Sequence, residues 1–169
     1  MRLYIVRHAI AELRNIHSPM DEDRALTAEG IEKMQRVAEG LNTVGFIPDV
    51  ILTSPLVRAR QTAEILLEAF DSDIPMKIHP DLSPGGDRGI LYRDIAKYRK
   101  KAQGLMLVGH QPSLGEIAGE IAWESPECYI ELKKGGVCVI DLESIQDVLR
   151  GRLVCLLTPS VLCKIKSGT

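Results

Sequence analysis

Three short apolar runs set the pattern of this chain: Leu3 to Val6, Asp49 to Thr53 and Leu105 to Val108, each followed by polar residues or glycine. Continuous rather than alternating hydrophobicity over four or five residues is what a strand buried on both faces requires. Between these runs the apolar period lengthens. Ile31, Met34, Ala38 and Leu41 recur at helical spacing after Thr27, which suits an N-cap, and Gly45 and Pro48 mark the exit. Ala59, Ala63, Leu66 and Phe70 give a second helical stripe behind Ser54-Pro55, read as cap and first helical residue. Met76 to Ile78 is a weaker strand, Pro84-Gly85-Gly86 a loop, and a charged helix is expected over about residues 89 to 102. Ser113 is placed to cap a helix carrying Ile117, Ala118 and Ile121, and two last strands are expected at Val137 to Leu142 and Leu153 to Leu157. Strands alternating with helices predict an α/β, three-layer α/β/α sandwich with a mainly parallel sheet. The final pair of strands, joined without a helix, predicts an antiparallel edge. Residues 9 to 26 are polar, with Pro19 and the acidic Asp21-Glu22-Asp23, and read as a long loop of the kind that carries function.

Composition narrows the class without naming it. At 169 residues, with no repeat, low-complexity tract or linker, residues 1–169 are expected to form a single domain. Apolar residues at 45% and charged residues at 26% exclude a disordered chain. A net charge of −2 gives no field for nucleic acid, and no apolar run is long enough to span a bilayer. The start, Met1 to His8, is too soon interrupted by charge for a signal peptide, so a cytoplasmic location is expected. Cys128, Cys138, Cys155 and Cys163 form no C-x-x-C pair, and read as reduced thiols rather than a zinc site.

Chemistry gathers at the strand ends. The first run delivers Arg7-His8, the second leads to Ser54 and then Arg58, and the third delivers His110. Ligand sites in open parallel sheets lie beyond the carboxyl ends of strands, so two arginines and two histidines are expected to meet there. Arg58, in the first turns of a helix, adds to a positive field. Such a set suits a small, highly charged anion. His17, in the loop, and His79, in a proline-flanked turn, lie off this edge and read as structural or exposed.

These same residues resemble the signatures of the histidine phosphatase superfamily. Arg7-His8-Ala9 is similar to its R-H-G, and Leu26-Thr27-Ala28-Glu29-Gly30 to its L-T-x-x-G. Ser54-Pro55-Leu56-Val57-Arg58-Ala59-Arg60-Gln61-Thr62-Ala63 resembles S-P-x-x-R-A-x-x-T-A, and Val108-Gly109-His110 the segment of its second histidine. Within that superfamily Leu82-Ser83-Pro84-Gly85-Gly86-Asp87, and the short length, resemble the small phosphohistidine phosphatases of the SixA type. The resemblance implies a phosphoglycerate mutase-like fold and a phosphoryl group passed to His8, then cleaved by water. Arg7, Arg58 and His110 would hold its peripheral oxygens, with no cofactor or metal. Fixed donors suffice for such a transfer. His110 is expected to contribute most when protonated, which would make activity fall at alkaline pH.

Two departures matter. Ala9 stands where the pattern has glycine, and larger relatives carry a glutamate where this chain reads Leu82-Ser83-Pro84. Without that acid an alkoxide leaves with difficulty, whereas a phosphorylated imidazole can be protonated on its free nitrogen. The expected substrate is therefore phosphohistidine on a phosphotransfer or phosphocarrier protein, with small phosphomonoesters as the alternative. Asp87 or Asp81 could replace the acid, though Asp87 also suits capping of the glycine-rich loop. Arg24 and Gln111 are candidate substrate contacts, Glu12 and Arg14 weaker ones, and Lys97 to Lys101 a wet helix face or an acidic partner's dock.

Overall fold

The computed structural model describes residues 1–13, 20–70, 73–143 and 149–165. Its element order is β1 (Arg2–Arg7), a 3-10 turn (Asp21–Asp23), α1 (Ala28–Thr43), β2 (Val50–Thr53), α2 (Val57–Phe70) and β3 (Met76–Ile78). There follow a second 3-10 turn (Pro80–Leu82), α3 (Arg88–Tyr98), β4 (Gly104–Gly109), α4 (Ser113–Trp123), β5 (Val137–Leu142), β6 (Gly151–Leu157) and the short α5 (Pro159–Leu162). One six-stranded sheet runs β3-β2-β4-β1-β5-β6. The strands β3, β2, β4 and β1 are mutually parallel, while β5 pairs antiparallel with β1 and β6 antiparallel with β5. The antiparallel portion is thus two strands wide.

Alternation along the central strands divides the core into two layers. Tyr4, Val6, Met106 and Val108 pack on one face with Met34, Val37 and Leu41 of α1 and Ala59, Ala63 and Leu66 of α2. Leu3, Ile5, Leu105 and Leu107 pack on the other with Leu91 and Ile95 of α3 and Leu114, Ile117 and Ile121 of α4. Helices on both faces make every position of Leu3–Val6 and Leu105–Val108 apolar, which is why these runs show no polar alternation. This is the three-layer phosphoglycerate mutase-like sandwich. Among the described residues no helix is long and apolar enough to cross a membrane.

Thr27 caps α1, its Oγ1 accepting from Gly30 N–H at 2.9 Å. Gly30 is required by contact: a Cβ there would stand 2.1 Å from the Ile10 carbonyl oxygen. The L-T-x-x-G sequence therefore both starts the helix and lets it lie against the chain leaving β1.

Three expectations need correction. Helix α2 starts at Val57, not Pro55, because the Ser54 hydroxyl is engaged with His110 as well as with Leu56 N–H. The charged helix ends at Tyr98 rather than near 102, closing through Lys101 and Ala102 N–H groups on the Tyr98 carbonyl. Ser113 is the first residue of α4 and caps nothing; Gln111 Oε1 accepts from Gly115 N–H at 2.8 Å and does that work. His17 and Arg14 lie outside the described residues.

Candidate active site

Strand register brings the two histidines together. Arg7 is the partner of Gly109 in the parallel β1–β4 pair, so the next residues, His8 and His110, leave adjacent strands side by side. Their ring centroids are 5.0 Å apart, close to the spacing of about 4.8 Å between neighbouring strands. His8 N–H donates to the Gly109 carbonyl, while Gly135 N–H donates to both the Arg7 and His8 carbonyls. Backbone contacts on both sides thus hold this corner. Ser54, one residue beyond β2, donates its own N–H to Val108 and reaches His110 Nε2 with its hydroxyl at 2.8 Å.

The α2 helix fastens to the same corner. Thr62 Oγ1 accepts from Ala9 N–H at 3.1 Å and donates to the Arg58 carbonyl at 2.7 Å, and Gln61 Oε1 accepts from Leu26 N–H at 2.8 Å. Thr62 and Gln61 are therefore ties from α2 to the chain on either side of the loop that follows His8. Burial of Arg58 is nearly complete, at 4% exposure, beside His8 at 7% and His110 at 3%.

His8 Nδ1 lies 2.7 Å from the Ala9 carbonyl oxygen, an acceptor only, so the proton sits on Nδ1 and Nε2 carries the lone pair. Burial first, then Arg58, Arg7 and Lys134, lower its pKa to about 4 against the pull of the Ala9 bond. His8 is therefore a neutral imidazole at physiological pH. His110 is pushed down to about 3, mainly by burial and then by His8 and Arg58. This corrects the expectation of a protonated His110 in the free site. Ser54 Oγ accepts from Leu56 N–H and shares a hydrogen bond with His110 Nε2 at 2.8 Å, which fixes the plane of the ring. His110 is held there as a neutral imidazole.

Donors remain unsatisfied at the same corner. Arg7 Nε, Arg58 Nε and His110 Nδ1 are buried without a hydrogen-bond partner, which costs roughly 1–3 kcal/mol each unless a ligand accepts from them. Arg7 is anchored by Nη1 to the Leu132 carbonyl at 2.7 Å. Arg58 is anchored through Nη1 to the Asp21 carbonyl at 2.6 Å and Nη2 to Asp21 Oδ2 at 2.7 Å. Arg7 and Arg58 lie near enough to His8 to lower its pKa, and the rings of His8 and His110 are 5.0 Å apart, a cationic corner suited to an oxyanion.

The remaining candidates are placed otherwise. Gln111 is not a substrate contact here, since its Nε2 donates to the Ile130 carbonyl and its Oε1 holds Gly115. Arg24 donates to the Glu12 carbonyl and to Asp21 Oδ1, one residue removed from Arg58. Asp87 Oδ1 caps α3 on Ile90 N–H, and Asp81 Oδ1 accepts from Asp87 N–H, so both shape the glycine-rich loop. His79 pairs with Asp94 at 3.1 Å and accepts from Asp81 N–H, a structural part. Sequence reasoning passed over Asp21 and Lys134. Asp21 stood among loop acids with no pattern to mark it, and the basic, glycine-rich turn Lys133-Lys134-Gly135-Gly136 was the available signal for the second.

Residues 3–121 match the model of the histidine phosphatase superfamily, branch 1. The chain belongs to the histidine phosphatase superfamily. It is 41% identical over 138 residues to an uncharacterized protein of Picosynechococcus sp., covering 81% of this chain and 82% of that one. It is 26% identical to the phosphohistidine phosphatase SixA of Escherichia coli over 122 residues, 72% of this chain and 74% of that protein. The protein histidine phosphatase SixA in complex with tungstate superposes with a TM-score of 0.83 at 22% identity, covering 95% and 98% of the two chains. A mycobacterial glucosyl-3-phosphoglycerate phosphatase complexed with VO3 shares the fold at a TM-score of 0.70 and 16% identity, over 93% and 99%. The matched span contains Arg7, His8, Arg58 and His110, and family and fold together support a phosphatase.

Proposed function

We propose that this chain is a protein phosphohistidine phosphatase of the cytoplasm. His8 Nε2 attacks phosphorus, the P–N bond to the substrate's imidazole breaks, and water later releases phosphate from His8. Arg7, Arg58 and His110 hold the three peripheral oxygens, and Arg24 supports Arg58 through Asp21. The gathering of Arg7, Arg58 and His110, each with a buried nitrogen lacking a partner, beside a neutral His8 carries the reading. Splitting the displacement into two covalent steps needs only a nucleophile and fixed charge.

The P–N preference rests on where the carboxyls lie. Asp81 and Asp87 are spent on backbone N–H groups, and Asp21 is held below its ordinary carboxylate value by Arg24 and Arg58. None of these three is poised as a proton donor to an alkoxide. A phosphoimidazole protonated on its remote nitrogen releases neutral imidazole without one. A partner in the form of a phosphotransfer or phosphocarrier domain follows from the same chemistry.

Rapid mixing with a radiolabelled phosphohistidine carrier should trap label on His8 and lose it in His8→Ala. Steady-state rates on that carrier and on p-nitrophenyl phosphate should favour the carrier in kcat/KM; a preference for the ester would overturn the substrate assignment in favour of small phosphomonoesters.

A further inference from the structure

Asp21 holds a position that the phosphatase chemistry so far leaves unused. It opens the first 3-10 turn, and its two carboxylate oxygens bridge two cations: Oδ1 accepts from Arg24 Nη1 and Oδ2 from Arg58 Nη2, both at 2.7 Å. The carboxylate nevertheless keeps 47% of its side chain exposed. With Glu22, Pro55, Leu56, Ser83 and Pro84 it lines a groove of about 320 Å³. Arg58 therefore divides its donors between two directions, Nη1 and Nη2 toward Asp21 at the groove, and a buried Nε with no partner. A phosphoryl group taking that Nε would have a fixed negative charge as its neighbour on the groove side. Asp21 is close enough to His110 to raise its pKa against the downward pull of burial and nearby cations.

We infer that Asp21 determines specificity for phosphoramidates, its exposed carboxylate oxygen face receiving the remote ring N–H of the departing imidazole. The inference rests on the phosphohistidine reading of the site. In the reactive substrate the ring nitrogen not bonded to phosphorus carries a proton. His8 Nε2 forms its bond to phosphorus, the P–N bond breaks, and its electron pair stays on the ring nitrogen. The imidazole leaves neutral with its remote proton still in place, so no proton passes to Asp21. A carboxylate beside that N–H favours the protonated, reactive form through a charge-assisted hydrogen bond. An ester offers no such N–H, and its leaving oxygen gains negative charge as the bond breaks. Asp21, with Glu22 beside it, opposes that charge while Arg24, Arg58 and the neutral His8 and His110 complete the surroundings. One side chain thus favours P–N cleavage and disfavours P–O cleavage.

Asp21→Asn tests this by the ratio of kcat/KM on a phosphohistidine carrier to that on p-nitrophenyl phosphate. The ratio should fall at least tenfold, with the carrier rate lower and the ester rate higher, and the fall should be larger at pH 8.5 than at pH 6, where the substrate is already protonated. Asp21→Glu keeps the charge and should restore most of the ratio. An unchanged ratio in Asp21→Asn, whatever the absolute rates, would reduce Asp21 to a positioning residue for Arg58 and overturn the inference. The wild-type ratio judges the phosphohistidine reading separately, since a wild type that prefers the ester fails before any variant is made.

Discussion

Two halves of the site are held by different means. Arg7, His8 and His110 sit where strands end, and their relation follows from backbone register, with Arg7 opposite Gly109 and His8 N–H bonded to the Gly109 carbonyl. Asp21 and Arg24 sit outside the sheet on the chain between Ala11 and Leu26, held among the described residues by the bridge between those two and by side-chain bonds to Arg58, Gln61 and Glu12. The first half can hold atoms that must not move during bond making. The second can adapt to a leaving group. On the function proposed above, the geometry of transfer belongs to the sheet, and selectivity to a turn outside it.

The largest effects should come from the strand-end half and from Arg58, which joins the two. Replacing Arg7 or Arg58 by Met keeps volume but removes a charge and a buried donor to the transferring group. Each should lower kcat by about 10²–10³, the range for losing one preorganised donor. Single-turnover rates would check this. Arg58→Met should also free Asp21, so that its carboxyl titrates closer to its ordinary value, whereas Arg7→Met should leave Asp21 as it is. If the two variants disturbed Asp21 equally, the division into halves would be wrong.

Acid should weaken the strand-end half first. Both histidines have depressed pKa values in the folded protein, about 4 for His8 and about 3 for His110. The unfolded chain binds their protons near pH 6.5 and the folded one does not, so their contribution is present above pH 6.5 and lost as pH falls toward 4 and 3. At about 1.4 kcal/mol per pKa unit, His8 alone accounts for roughly 3 kcal/mol across that window. Asp21 and Asp141 are lowered from 3.8 by arginine partners, so their losses come at lower pH. Urea unfolding between pH 7 and 4.5 should show a shallower pH dependence in His8→Asn than in wild type. Equal slopes would mean that His8 is not held neutral by burial. On the alkaline side a neutral His110 predicts activity that stays level from pH 7 to 9 with an ester substrate.

How far the sequence discloses each half follows from the same division. Leu3 to Val6 and Leu105 to Val108 are apolar because helices cover both faces, and whatever ends such a strand must project over the sheet edge; Arg7, His8 and His110 could be placed together on that ground alone. Arg58 needed its helix start, which Ser54-Pro55 supplied two residues early. Asp21 could not be found this way. A loop acid carries no periodicity, and its meaning comes from Arg58, 37 residues later in the chain. Gln111 shows the converse error, a polar residue beside His110 that turned inward to satisfy α4 rather than outward to a ligand. Ser-Pro suggests a helix cap at Ser54, yet its hydroxyl is shared with the buried His110 ring.

Thr62→Val probes the tie between α2 and the strand-end half. The substitution nearly conserves shape but removes the acceptor of Ala9 N–H, leaving that buried donor unpaired at about 1–3 kcal/mol. Thermal unfolding should register the loss. Because Ala9 supplies the carbonyl that fixes the His8 tautomer, kcat should also fall, by roughly tenfold if the ring tilts by a fraction of its productive alignment, with KM little changed. A variant destabilised to this extent with wild-type kcat would show that the His8 corner is held by register alone.

The smallest effect should come from Thr27→Ala, and its value lies in being silent where the others are not. Thr27 Oγ1 satisfies Gly30 N–H at the start of α1, and its loss as a cap costs about 1 kcal/mol. Its backbone N–H still donates to the Ile10 carbonyl, so the path of the chain leaving β1 is retained. Stability should drop while the rates on the phosphohistidine carrier and on the ester, and hence their ratio, stay within a factor of two. The loop bearing Asp21 runs between Ala11 and Leu26 and enters α1 directly through Thr27, so fraying of this first turn is the most direct mechanical route from helix to turn. A changed ratio in Thr27→Ala would mean that the turn draws its position from α1, and that selectivity is also a property of the packed frame.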